Sequence, residues 1–227
     1  MVVDWDQYCP HPSVTIVIGD IDSGKTVSAC AILDHLHKLK NKCAVVAEKA
    51  VAEIYQETAP WISHIDPSKT LHPKDTAILL DDAHLYAYAR TWWGELNQNI
   101  DIMARESRHT GNSYIYTTQQ AAALDANLVR MVSCVIIKEP SLMQIEGGER
   151  PMIRKRMEAA AKRFKEEKVS HDENQKNAYV LSRKRRAPVF VRGITQPKWF
   201  TQRISKAYRY SKIRRRKPIN LKRIFRL

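Results

Sequence analysis

The sequence predicts an α/β fold: a mostly parallel sheet of five or more strands, helices on both faces, and a basic C-terminal extension. Three observations carry that prediction. Residues 19–26 read Gly-Asp-Ile-Asp-Ser-Gly-Lys-Thr, a complete G-x-x-x-x-G-K-[ST] phosphate-binding loop set between a β-branched run and a helical pattern. Short apolar runs then alternate with helical spacings along the first 140 residues, as strand–helix–strand units of a parallel sheet do. Charge is segregated as well: residues 174–227 hold 18 Lys or Arg and no Asp or Glu, leaving 20 basic and 24 acidic side chains in the rest.

Taken in order, residues 1–12 form an N-terminal arm and residues 13–150 the core. Residues 13–18, Ser-Val-Thr-Ile-Val-Ile, are the β-branched run of a buried strand. After the loop, Val27, Ala31, Ile32, Leu36 and Leu39 recur at helical spacing within residues 27–40. Residues 43–47 predict a second strand and 48–57 a helix stopped by Pro60, while Pro60, Pro67 and Pro73 mark residues 60–75 as loop. Residues 76–80 predict a third buried strand ending in Asp81 and Asp82, and residues 95–109 a polar helix leading to Gly111. A fourth strand, 113–118, ends in Gln119 and Gln120; a helix at 121–131 and a fifth strand at 132–138, closed by Pro140, complete the core. Residues 151–211 read as an extension: a charged helix at 154–168, a hairpin of 179–181 with 189–191 around Arg183–Arg186, and a short helix at 197–210. Residues 212–227 are a basic tail.

A chain of 227 residues allows one α/β domain and an appendage. No apolar run reaches the 18 or so residues of a membrane span, and the opening Met-Val-Val-Asp-Trp-Asp does not read as a signal peptide. Cys9, Cys30, Cys43 and Cys134 lack C-x-x-C spacing, which argues against zinc and disulfides and for a reducing compartment. The formal charge of +14 lies wholly in the last 54 residues. Such asymmetry points to a polyanion, nucleic acid first, then an anionic membrane surface or an acidic protein; a solvated tail is the plain alternative.

In the strand–loop–helix context, the backbone N–H groups of Gly19, Asp20, Ile21, Asp22, Ser23, Gly24, Lys25 and Thr26 converge on an anion. Lys25 would reach the β- and γ-phosphates of a nucleoside triphosphate, and the Thr26 hydroxyl would ligate Mg²⁺. An apolar strand delivering Asp81 and Asp82 is the expected companion. Asp81 is assigned to the Mg²⁺ shell through water, and Asp82 to polarising the attacking water, a role more usual for Glu. Gln119 can contact both the γ-phosphate and that water. Arg105 and Arg108, before the fourth strand, suit delocalised phosphoryl charge; plain surface charge is the alternative. Arg90 is a weaker candidate. Tyr86, Tyr88, Trp92 and Trp93 could stack on bases or pack at a subunit contact.

The segment Glu106-Ser-Arg-His-Thr-Gly-Asn-Ser-Tyr-Ile-Tyr-Thr-Thr-Gln119, with Leu124-Asp-Ala-Asn-Leu128 after it, resembles the signature of the FtsK/HerA superfamily of DNA-pumping ATPases. The resemblance spans about residues 13–140 and is most like the genome-packaging ATPases of archaeal and other double-jelly-roll viruses (the A32-like group). It implies a RecA-like core, a homo-oligomeric ring, hexameric in the first instance, and ATP·Mg²⁺ hydrolysis at subunit interfaces. It also implies translocation of double-stranded DNA, a capsid or portal partner, and the cytoplasm of a host cell or a virion. On it, Lys25 and Thr26 match the phosphate loop, Asp81 and Asp82 the carboxylate pair, and Gln119 the sensor. The sequence departs from the pattern in two ways. Asp82 is one methylene shorter than the usual Glu, and Asp20 and Asp22 put negative charge in the loop, weakening nucleotide binding unless they point to solvent. Two other functions compete: a phage-assembly ATPase of the zonula occludens toxin type, and a nucleotide-switched DNA-binding or scaffold protein with slow hydrolysis.

Overall fold

The computed structural model describes residues 3–69, 72–83, 107–124, 126–147 and 149–207. Arg90, Arg105, the aromatic cluster at 86–93 and the basic tail lie outside the described residues. The chain builds one eight-stranded sheet in the order β3-β2-β4-β5-β1-β6-β7-β8. Its strands are β1 (Val14–Ile18), β2 (Lys42–Val46), β3 (Ile62–Ile65), β4 (Thr76–Leu80), β5 (Ser113–Thr118), β6 (Cys134–Ile137), β7 (Ala178–Ser182) and β8 (Val189–Val191). The first six pair in parallel, and β7 and β8 add antiparallel as a hairpin on β6. Every residue of β1, β4 and β5 is buried. That explains why β1 and β4 are continuous apolar or β-branched runs rather than alternating ones.

The helices are α1 (Lys25–Lys38), α2 (Lys49–Thr58), α3 (Ala126–Met131), α4 (Leu142–Glu146), α5 (Pro151–Glu167), α6 (His171–Asn174) and α7 (Gln202–Ser205). The chain moves from β1 to β2 to β3 in one direction across the sheet, then back through β4 and β5 to β6. Right-handed crossovers therefore put α1 and α2 on one face and α3 on the other. The change of direction at β1 creates the crevice in which such sheets hold ligands. No helix among the described residues is long and apolar enough to cross a membrane.

Four readings need adjustment, one of them the helix expected at 197–210, which among the described residues covers only Gln202–Ser205. Residues 62–65, expected as loop, form edge strand β3, with Cys43 opposite Ile62. Four residues between prolines, two of them Ser and His, carry too little pattern to announce a strand that needs only one neighbour. The helix expected over 121–131 begins as a 3₁₀ turn at Ala121–Ala123 and starts again as α3. The helix expected at 154–168 starts three residues earlier, with Pro151 at its first position, where a missing N–H costs nothing.

The arm packs on the sheet. Trp5 is buried, the Ser182 hydroxyl donates to the Tyr8 carbonyl at 2.6 Å, and the sulfurs of Cys9 and Cys134 lie 3.2 Å apart. All four cysteines are buried thiols.

Candidate nucleotide site

The phosphate loop leaves β1 at its carboxyl end and is tied at once to the neighbouring strand: the Gly19 N–H donates to the Thr118 carbonyl at 3.3 Å. It then closes on the Asp20 carbonyl, which accepts from the Ser23 hydroxyl at 2.8 Å and the Lys25 ammonium at 2.5 Å. Both glycines are sterically required. A Cβ on Gly19 would stand 2.5 Å from Ser23 Oγ and 2.6 Å from Lys138 Cβ. Gly24 caps α1 with φ +83°, and a Cβ there would meet the Gln175 carbonyl at 2.6 Å.

Lys25 is only 8% exposed. Burial lowers its pKa, against the opposing pull of Asp81, Asp82, Asp20 and Asp22. The two loop aspartates are placed so that neither fills the cradle. Asp22 is exposed, at φ +56°. The Asp20 carboxylate accepts from the Ile21 N–H at 2.7 Å, and a hydrogen bond from Ser141 is the main reason its pKa is lowered.

Asp81 follows β4, whose five buried residues deliver it to the same end of the sheet, one strand away from the loop. Its carboxylate, 3% exposed, spans that gap. Oδ1 accepts from Thr26 at 3.2 Å and from Thr117 at 2.5 Å, and Oδ2 accepts from the Tyr55 hydroxyl at 3.1 Å. Burial, and then the neighbouring charge of Asp82, push its pKa up to about 6; the hydrogen bonds from Thr117 and Tyr55 and the charge of Lys25 oppose this. Asp82 adopts φ +50°, and its N–H donates to Thr117 Oγ1 at 2.8 Å. Thr117 thus fixes both carboxylate-bearing residues with one hydroxyl.

Gln119 stands just beyond β5, and its carbonyl accepts from the Gln144 side chain of α4. Arg108 is exposed in the helical residues 107–110. The topology therefore brings Gly19–Thr26, Asp81, Asp82 and Gln119 to the carboxyl ends of three adjacent strands, β1, β5 and β4. Arg108 precedes β5 and enters at its opposite end. Sequence reasoning missed four contributors: Tyr55, Thr117, Ser141 and Lys138. Tyr55 reads as one more apolar residue of α2, and Thr117 as strand. Lys138 is a charge ending an apolar run, which was a legible signal.

The donors fit an Mg²⁺–nucleotide. Thr26 and Asp81 converge hard oxygen ligands beside a glycine cradle that a Cβ would fill.

No family model matches the chain, and no curated protein matches it in sequence. Solved structures do match in fold. The genome-packaging NTPase B204 of Sulfolobus turreted icosahedral virus 2, in complex with AMPPCP, superposes with a TM-score of 0.59 at 13% identity, covering 81% of this chain and 98% of that one. The pCW3 conjugation coupling protein TcpA gives 0.55 at 13% identity over 85% of this chain and 62% of that one. ATPases 2 and 3 of EssC from Geobacillus thermodenitrificans give 0.54 at 10% over 88% and 44%. At these identities the likeness is one of architecture: the chain has the α/β fold of P-loop NTPases.

Proposed function

We propose that this protein is an ATP-driven translocase of double-stranded DNA that works in viral genome packaging. The observation that carries the nucleotide half of this reading is the convergence of Asp81 on Thr26 across β5, beside the Gly19–Gly24 cradle. The DNA half is supported by two facts of different kind. The fold is shared over nearly the whole length of a viral genome-packaging NTPase, and all the net positive charge lies in the last 54 residues. A ring of like copies, loaded against a capsid or portal protein, is the assembly this reading implies.

The chain's own groups divide the work. The loop N–H groups and Lys25 hold the phosphates; to do so, Lys25 exchanges the Asp20 carbonyl for phosphate oxygens. Thr26 and, through water, Asp81 would hold Mg²⁺, which would supply neutralisation of the phosphate charge. Asp82, anchored by its own N–H on Thr117, is positioned to take the proton of the attacking water. Gln119 orients that water and senses the phosphate. Arg105 and Arg108 are assigned to transition-state charge, donated to a neighbouring copy.

The test is the steady-state ATPase rate with and without long double-stranded DNA, with Lys25→Ala as the blank. A large stimulation that grows with DNA length is expected, and Lys25→Ala should lose about 10²-fold or more of the rate. A low rate indifferent to DNA would replace the motor with the nucleotide-switched scaffold. Full turnover by Lys25→Ala would remove the loop assignment itself.

A further inference from the structure

Lys138, the residue after β6, is fully buried behind the phosphate loop. Its ammonium donates to the Ser28 hydroxyl of α1 at 3.1 Å and to the Gln175 carbonyl at 2.9 Å; Ser28 in turn donates to the Gly24 carbonyl at 3.0 Å. The two loop glycines rest on the same unit. Gly19 is glycine where the Lys138 stem passes, and Gly24 is glycine where the Gln175 carbonyl passes. Gln175 follows α6, which is itself docked on the residue after Lys138. Glu139 meets His171 Nδ1 at 2.9 Å and accepts from Asn174 at 2.9 Å. No ion pair to Lys138 forms among the described residues, so its charge sits in the interior with hydrogen bonds but no counterion.

We infer that Lys138 is a positioning residue for the nucleoside triphosphate: its stem backs Gly19, its buried ammonium docks residues 171–177 against Gly24, and it adds a second positive charge, behind Lys25, to the phosphate site. The inference rests on the nucleotide reading given above. An interior lysine without a carboxylate is an expensive way to fill space, and it becomes intelligible if a polyanion arrives in front of it. Burial first, and then the charge of Lys25, pull the Lys138 pKa down to about 7. The other charged groups facing this unit are Glu139 at the end of β6 and His171 on α6, which pair with each other. Phosphates that neutralise Lys25 remove its repulsion, so the bound state favours the Lys138 ammonium. Binding should therefore take up a proton near neutrality and weaken as pH rises above it.

The experiment is a titration of the full chain with fluorescent mant-ATPγS and Mg²⁺ from about pH 6 to about pH 9, for wild type, Lys138→Met and Lys138→Gln, with thermal unfolding as the check on folding. Lys138→Met should bind about tenfold more weakly at the acid end, the two curves converging to within about twofold at the alkaline end, since one pKa unit of coupling is tenfold. The nucleotide's terminal phosphate titrates in the same range in every protein, so the difference between the curves is the diagnostic. Parallel curves, or equal affinities, from folded variants overturn the inference while leaving the nucleotide site standing. A wild-type chain that binds no mant-ATPγS overturns the nucleotide reading instead, and the inference with it. Should Lys138→Met not fold, Lys138→Gln and the wild-type proton uptake on binding, read by calorimetry in two buffers, decide the matter: zero uptake overturns it.

Discussion

Two side chains behind the phosphate loop can be weighed against the stability they cost. Lys138 has a folded pKa of about 7 against an ordinary 10.5. The unfolded chain therefore binds the extra proton between those values, so stability is fully present above the upper one and is lost as pH falls to the lower. At neutral pH the burial costs about 4 kcal/mol, and its two hydrogen bonds return about 1–3 kcal/mol. Lys138→Met should accordingly unfold at higher denaturant at pH 7, by about 2 kcal/mol, and fall below wild type near pH 10, where the amine is neutral and still donates. Chemical unfolding at the two pH values reads this directly. A wild type more stable at pH 7 would mean that the lysine is there for the fold. Thr117 is the opposite case. Its hydroxyl serves Asp81 and the Asp82 N–H at once inside the core, so Thr117→Val leaves two buried polar groups short. The expected loss is about 1–3 kcal/mol in unfolding free energy, and at least about tenfold in ATPase rate, because both carboxylates lose their orientation.

At the scale of elements, the phosphate loop is a turn fitted around other segments, and its glycines record those contacts. Gly24→Ala must hold a positive φ with a methyl 2.6 Å from the Gln175 carbonyl. It should cost about 1–3 kcal/mol, melt several degrees lower, and weaken nucleotide binding, as calorimetry and a binding titration would read. The same fitting explains what the sequence made legible. β1 and β4 are buried on both faces, so their apolar and β-branched runs are unbroken, and the loop between β1 and α1 carries its motif in its spelling. The carboxylate pair and Gln119 follow because strand ends are where such runs stop. β3 escapes because an edge strand of four residues needs little pattern, and the 3₁₀ turn at Ala121–Ala123 escapes because alanine is compatible with either helix. Tyr55 and the partners of Lys138, though not the misplaced charge of Lys138 itself, escape for a different reason. Their roles depend on α2 reaching Asp81 and on residues 171–177 folding back onto Gly24 and Lys138, long-range contacts that no local window encodes.

Across the whole molecule, the segment after β8 returns over the helical face. Trp199 donates its indole N–H to Asp34 of α1 at 2.8 Å and stands edge-on to Trp61 at 5.4 Å; Ile204 is buried, and Arg203 pairs with Glu57 of α2. The last described residues are thus fastened to the body, next to the face bearing α1 and α2, and the basic tail begins only beyond them. This division of labour has a measurable form. Residues 212–227 carry eight Lys or Arg and no acid. If all eight met DNA phosphates, counterion release would give a slope of log affinity against log salt near about −7, on top of any contribution from Arg183–Arg186 of the hairpin. Deleting residues 212–227 should leave the unfolding transition in place, since the sheet and its buried core are built from residues up to 207, while weakening binding to duplex DNA and flattening that slope by several units. Binding isotherms between about 50 and 200 mM salt test it, the range over which six to ten phosphate contacts change affinity by about 10³–10⁵. An unchanged slope in a folded truncation would assign the tail to another acidic partner and leave DNA to be gripped by the body of the protein.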